Sequence, residues 1–265
     1  MLKQRILTAV VLVPLVLFAI FYANSWIFTS IVLLLLLACA YEWSFLIPLE
    51  NLGLQIIFLA VLLAMTWLTH FYYNYWLLAG MILWVFIILA IIFYPKSQVI
   101  WGQSWIIFLA GLIVLPLFVQ SLLNLYHHDL GRDLIVYLLF LVWASDIGAY
   151  FAGKQWGKYK LIPFVSPGKT VEGAAGGFIL SMLIAMAGHY YFQPVHTGLW
   201  FLIAIMTSVI SVFGDLFISM LKRRTKIKDT GNLLPGHGGI LDRLDSLIAA
   251  LPFFNCGLMY LTPGL

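Results

Sequence analysis

Nine apolar stretches of 18–23 residues occupy most of this chain: Ile6–Ala23, Trp26–Ile47, Leu54–Tyr73, Trp76–Tyr94, Trp105–Leu123, Leu134–Phe151, Val171–Tyr191, Leu199–Leu221 and Leu244–Leu261. About 20 apolar residues, wound as a helix, cross the hydrocarbon core of a bilayer. None of the stretches shows the strict alternation of a membrane barrel strand, and in lipid only helices and closed barrels satisfy every backbone group. Composition excludes the alternatives: 63% of residues are hydrophobic, 9% are charged and the mean hydropathy is +1.04. A soluble domain carries about 25% charge, so a soluble globular protein, a disordered chain and a disulfide-stapled scaffold are all ruled out. Cys39 and Cys256 lie inside apolar stretches and read as packing residues. The expected fold is an all-α polytopic membrane protein of about nine transmembrane helices, forming one membrane domain over residues 1–265.

Charge gives the sidedness. When loops alternate sides from the N-terminus, thirteen of the fourteen Lys and Arg fall on the first side, and Arg132 stands alone on the second. The positive-inside rule then places the N-terminus in the cytoplasm and the C-terminus outside. Lys3 and Arg5 ahead of an apolar core imitate a signal peptide, but the cleavage signal near Ala23 is poor and eight further stretches follow, so a retained anchor is expected.

Polarity divides the chain further. Residues 1–125 hold few polar groups inside their stretches, Glu42 and His70 among them, and read as a helical scaffold. Residues 134–265 hold Asp146, Glu172, Asp215, Asp229, Asp242 and Asp245 with most of the Lys and Arg, and read as the working half. No internal repeat of the inverted-transporter kind is visible.

An ionised Asp in hydrocarbon costs at least about 2.5–3.5 kcal/mol, so it needs a partner or a hydrated cavity. Asp215, Ser219 and Lys222 stand at i, i+4 and i+7, on one helix face near its cytoplasmic end. Asp242 and Asp245, at i and i+3, share a face where the ninth helix begins, although Asp245 also fits a helix cap. With Asp146 they form a set of hard oxygen donors suited to Mg²⁺. Between the pairs runs Ser219–Asp245, SMLKRRTKIKDTGNLLPGHGGILDRLD, with six of the fourteen Lys and Arg. A basic run can simply anchor on anionic lipid. That leaves Gly236, Gly238 and Gly239 around His237 unaccounted for; glycine amides can cradle a phosphate. His237 could bind phosphate, protonate a leaving group or cap.

Ser166-Pro-Gly-Lys-Thr-Val-Glu-Gly173 imitates a phosphate loop, but the first Gly of G-x-x-x-x-G-K-[ST] would fall on Pro163 and no strand is expected before it. What remains is a turn into the seventh helix, with Lys169 at a helix N-terminus as an anion site or an ordinary helix start. Acids, cations and Gly-rich turns at one membrane face suggest phosphoryl or nucleotidyl transfer with a lipid substrate.

Ser219, Leu221, Lys222, Arg223, Lys228, Asp229, Gly231, Leu234, Pro235, His237, Gly238, Gly239, Ile240, Asp242, Arg243, Leu244 and Asp245 together resemble the signature of the phosphatidate cytidylyltransferases. Ser166–Gly173 and Asp146-x-Gly-Ala-Tyr150 are similar to further family features, so the resemblance covers roughly the C-terminal half. It implies formation of CDP-diacylglycerol and pyrophosphate from CTP and phosphatidic acid, with Mg²⁺ required and a second metal ion left open. It implies Asp215 and Asp242 as metal ligands with Asp245 and Asp146 beside them. Lys169, Lys222, Arg223 and Lys228 would neutralise phosphates, with Ser219 on the substrate side. His237, Gly238 and Gly239 would contact phosphate oxygens, and Arg243 would clamp the lipid phosphate or the pyrophosphate. A homodimer in a bacterial inner membrane is the expected setting, with membrane lipids and no nucleic acid as partners. Another lipid acceptor, such as a polyprenol or an archaeal-type lipid, is the nearest alternative, and an ion-coupled transporter is the alternative from a different class.

Overall fold

The computed structural model describes residues 2–49, 51–233 and 238–261, with side chains from Val10 to Tyr260. Its helices are α1 (Leu2–Tyr22), α2 (Ser25–Leu46), α3 (Leu52–Phe71), α4 (Tyr73–Ile92), a single turn α5 (Gln98–Trp101), α6 (Ser104–Tyr126), α7 (Gly131–Trp156), α8 (Val171–Phe192), α9 (Thr197–Thr225) and α10 (Leu241–Leu261). Each long helix overlies one of the nine apolar stretches. Seven of them, α2, α3, α4, α6, α7, α8 and α9, are long and apolar enough among the described residues to cross a membrane. The chain is a polytopic all-α membrane protein. Helix starts follow local chemistry: Asn24, Asn51 and Thr170 each accept a hydrogen bond from a backbone N–H of the first turn that follows.

Two helices outrun their apolar stretches at polar ends. α7 continues to Trp156 and α9 to Thr225, carrying Lys154 and Lys222–Arg224 beyond the apolar run. Arg224 ties this end of the bundle together, donating to the carbonyls of Gly102 and Leu46 and to Ser104 Oγ. The end of α2, the start of α6 and the end of α9 therefore meet at one face. Arg132 sits at the opposite end, donating to the Phe21 carbonyl at 2.8 Å and to Tyr126 Oη at 3.3 Å.

One element departs from expectation. Lys160–Ile162 (β1) and Ser166–Thr170 (β2) form an antiparallel hairpin between α7 and α8, so a strand does precede Ser166–Gly173, and most of that segment is itself a strand rather than a turn. Two short strands interrupted by Pro163, Pro167 and Gly168 leave too little alternation to detect. The hairpin is held by fully buried Val165 and by Glu172, whose carboxyl accepts from the backbone N–H groups of Lys158 and Tyr159.

Two close helix approaches position the acids. A Cβ on Gly148 of α7 would lie 2.5 Å from the Gly176 carbonyl of α8, so only glycine lets these backbones meet beside Asp146. Gly214 of α9 lies against the backbone of Asp245 and Ser246 in α10, which brings Asp215 alongside Asp245. Replacing Gly214 with Ala therefore costs about 1–3 kcal/mol by overpacking. Gly198→Ala, where the added methyl meets nothing within 4 Å, leaves stability unchanged or raised. Thermal unfolding of both variants in detergent checks the contrast.

Candidate active site

The C-terminal halves of α7 and α9, the hairpin, and the N-terminal ends of α8 and α10 enclose a cavity of about 430 Å³. Its charged lining is Asp146, Lys169, Asp215, Lys222, Asp229, Asp242, Arg243 and Asp245. Five acids face three bases there, so the cavity carries a formal surplus of two negative charges. The i, i+4, i+7 reading of α9 holds: Ser219 Oγ donates to Asp215 Oδ1 at 3.1 Å, and Lys222 reaches the same cavity one turn on.

Two cations are already paired. Lys169 Nζ lies 2.8 Å from Asp215 Oδ2, with both side chains about a quarter to a third exposed. Lys222 Nζ lies 2.5 Å from Asp242 Oδ1, and the Asp242 side chain is only 4% exposed. The second oxygen of Asp242 accepts from Thr230 N at 2.8 Å and Gly239 N at 3.2 Å, and it lies 3.0 Å from Thr230 Oγ1, whose single hydrogen it shares with Glu42. Asp245 Oδ1 accepts from Ser246 N at 2.7 Å. Asp146 lies within electrostatic range of Asp215, Lys169 and Arg243. Asp245 lies within range of Asp215, Asp146 and Lys169.

Several expected contributors stand elsewhere. The Gly239 amide points at Asp242 rather than into the cavity, because it forms part of the turn that starts α10. Gly238 has a positive φ of 82°, faces Asp229 and does not line the cavity. Arg223 donates to the Val165 carbonyl at 3.1 Å and so holds the hairpin rather than lining the cavity. Lys228 is exposed, also off the lining. His237 and Gly236 lie outside the described residues.

The largest omission from sequence reasoning is Glu42. This residue of α2, counted with the scaffold half, is fully buried and accepts from Thr230 Oγ1 at 2.9 Å, Ile240 N at 2.9 Å and Leu241 N at 2.8 Å. The one signal that points to it is an acid in the middle of an apolar stretch. Thr230 and Ser246 are further omissions; single hydroxyls in a polar loop or at a helix start carry no pattern.

The two ion pairs differ in burial, and that difference makes a prediction. Lys222→Met strands a nearly inaccessible Asp242 and costs about 3–5 kcal/mol. Lys169→Met costs clearly less, because Asp215 keeps access to water. Chemical unfolding of the two variants in detergent, followed by tryptophan fluorescence, gives the comparison.

Comparison with known proteins adds the chemical class. The model of the cytidylyltransferase family matches residues 3–261. The phosphatidate cytidylyltransferase of Pseudomonas aeruginosa is 40% identical over 259 residues, covering 96% of each chain. That of Haemophilus influenzae is 35% identical over 281 residues, covering 96% of this chain and 98% of its own. That of Bacillus subtilis is 47% identical over 124 residues, 46% of each chain. With a polar, carboxylate-rich cavity set into a membrane bundle and a family match along nearly its whole length, this chain belongs to the cytidylyltransferase family.

Proposed function

We propose that the chain transfers CMP from CTP to phosphatidic acid, giving CDP-diacylglycerol and pyrophosphate, and that the carboxylate cavity is where this happens. The observation that carries the reading is the cavity's charge pattern, acids interleaved with Lys169, Lys222 and Arg243, in a chain whose full-length relatives are named phosphatidate cytidylyltransferases. An oxygen of the lipid phosphate attacks the α-phosphorus of CTP, forming a new P–O bond. The bond to the β-phosphate bridging oxygen breaks, and pyrophosphate leaves with the electron pair. A phosphate monoester is already largely ionised at neutral pH, so no dedicated general base is required. The side chains serve to position the reactants and to offset charge.

A divalent cation fits the donor set. Asp146, Asp215 and Asp245 crowd like charges around one space. Among the described residues no three Asp, Glu, His or Cys side chains stand close enough to enclose an ion by themselves. Mg²⁺ asks for less: one or two carboxylates, with water and substrate phosphate completing its shell. Asp215 with Asp245 or Asp146 would hold it, and when bound it offsets triphosphate charge. Asp242 is better suited to orienting Lys222, since its oxygens already face the Lys222 ammonium, the Thr230 and Gly239 amides and the Thr230 hydroxyl it shares with Glu42. Lys169, Lys222 and Arg243 then meet phosphate oxygens, Arg243 with a two-pronged fork. By the positive-inside rule the basic loops at this end of the bundle face the cytoplasm, where CTP is found, and a bacterial inner membrane is the natural setting.

The test is product formation by purified protein in detergent from radiolabelled CTP and phosphatidate, with and without Mg²⁺. CDP-diacylglycerol is expected only with the metal, and Asp215→Asn is expected to lower turnover by about two orders of magnitude. Product from a polyprenol or archaeal-type lipid in place of phosphatidate would reassign the acceptor. Ion flux in proteoliposomes without nucleotide turnover would overturn the reading.

A further inference from the structure

The N-terminal half contributes a buried carboxyl, that of Glu42, whose hydrogen-bond donors come from the segment joining α9 to α10 and from the first residue of α10. Glu42 is 0% exposed on a helix that otherwise packs apolar side chains, and burying such a group unmatched is expensive. Its three donors are the Thr230 hydroxyl and the Ile240 amide, near the two ends of the strap between α9 and α10, and the amide of Leu241, the first residue of α10. The Ile240 and Leu241 amides lie at the positive end of the α10 dipole, where a carboxyl acts as a cap supplied from another helix. The strap is shaped to it: at Gly231 and at Gly239 any Cβ would collide with the Glu42 carboxyl. Thr230 Oγ1 lies 2.9 Å from Glu42 Oε2 and 3.0 Å from Asp242 Oδ2, and Asp242 holds Lys222 in the cavity. The neighbouring Trp43 donates to the Ile107 carbonyl at 3.1 Å and fixes α2 against α6, so the carboxyl sits on a firm base.

We infer that Glu42 is a positioning residue for the reaction: it latches the strap onto α2 and, through Thr230 and Asp242, sets Lys222 in the cavity. The catalytic part of this role rests on the cytidylyltransferase reading; the latch does not. Glu42→Gln keeps size and shape but turns one acceptor into a donor facing the strap's own donors.

Hydrogen–deuterium exchange on the full-length protein in detergent, run beside the CDP-diacylglycerol assay, tests both parts. Glu42→Gln is expected to speed amide exchange across residues 229–233 and 238–241 at least tenfold, to leave α7 and α9 protected as in the parent, and to cut turnover at least tenfold. Thr230→Val, a milder change, is expected to do the same to a smaller degree, and the double variant to be no worse than Glu42→Gln alone. Parent-like exchange in the strap of both variants overturns the latch, whatever turnover does. Strap exchange that rises while turnover stays at the parent rate overturns the positioning role. A parent protein that makes no CDP-diacylglycerol removes the cytidylyltransferase reading, and the exchange result still decides the latch. If Glu42→Gln does not fold, Thr230→Val carries the same two readouts.

Discussion

A carboxyl group inside a membrane bundle has to be met by donors, and much of the C-terminal half of this protein follows from how that requirement is satisfied. Glu42 and Asp242 are both nearly inaccessible, and between them they are met by six donor groups: the amides of Thr230, Gly239 and Ile240 and the shared Thr230 hydroxyl from the strap that links α9 to α10, the amide of Leu241 at the start of α10, and the Lys222 ammonium. An open loop of polar and glycine residues at a membrane surface would otherwise have little reason to adopt one conformation. Here its two ends are pinned to two buried acids, one from each half of the chain. The division into scaffold and working halves, natural from polarity, is bridged at this point by a single side chain.

Small residues do the complementary task of bringing charge together. Where Gly148 meets Gly176, and where Gly214 meets the first turns of α10, helices approach closely enough to set Asp146, Asp215 and Asp245 around one space. Larger residues at those contacts would separate the acids by the width of a side chain. Two of the five acids are balanced by Lys169 and Lys222 at 2.8 Å and 2.5 Å, and the surplus is what a divalent ion and a polyphosphate, arriving together, would use. In the proposed reaction, paired lysines are held in place before substrate arrives, which leaves little ordering for the moment of reaction.

Much of this is legible in sequence because it is carried by local periodicity. Stretches of about 20 apolar residues map onto the long helices, and Asp215, Ser219 and Lys222 read directly as one face. What escapes depends on contacts between distant segments. Glu42 is separated by 188 residues from Thr230, and nothing near it in the chain hints at a partner. The hairpin at Lys160–Thr170 is too short and too rich in proline for alternation to show. Residue type narrows what a group can do, and packing decides which of those things it does.

Nucleotide occupancy of the carboxylate cavity is the claim on which the functional account stands, and a thiol introduced on the cavity wall reports it directly. Ala149 lines the cavity, and the native Cys39 and Cys256 can be replaced by alanine. In an Ala149→Cys protein of that background, a small maleimide should label the introduced thiol and stop turnover, and CTP with Mg²⁺ should slow labelling at least tenfold. Labelling that proceeds at the same rate with saturating CTP, in a protein that keeps turning over once fully labelled, would place the reaction somewhere other than this cavity.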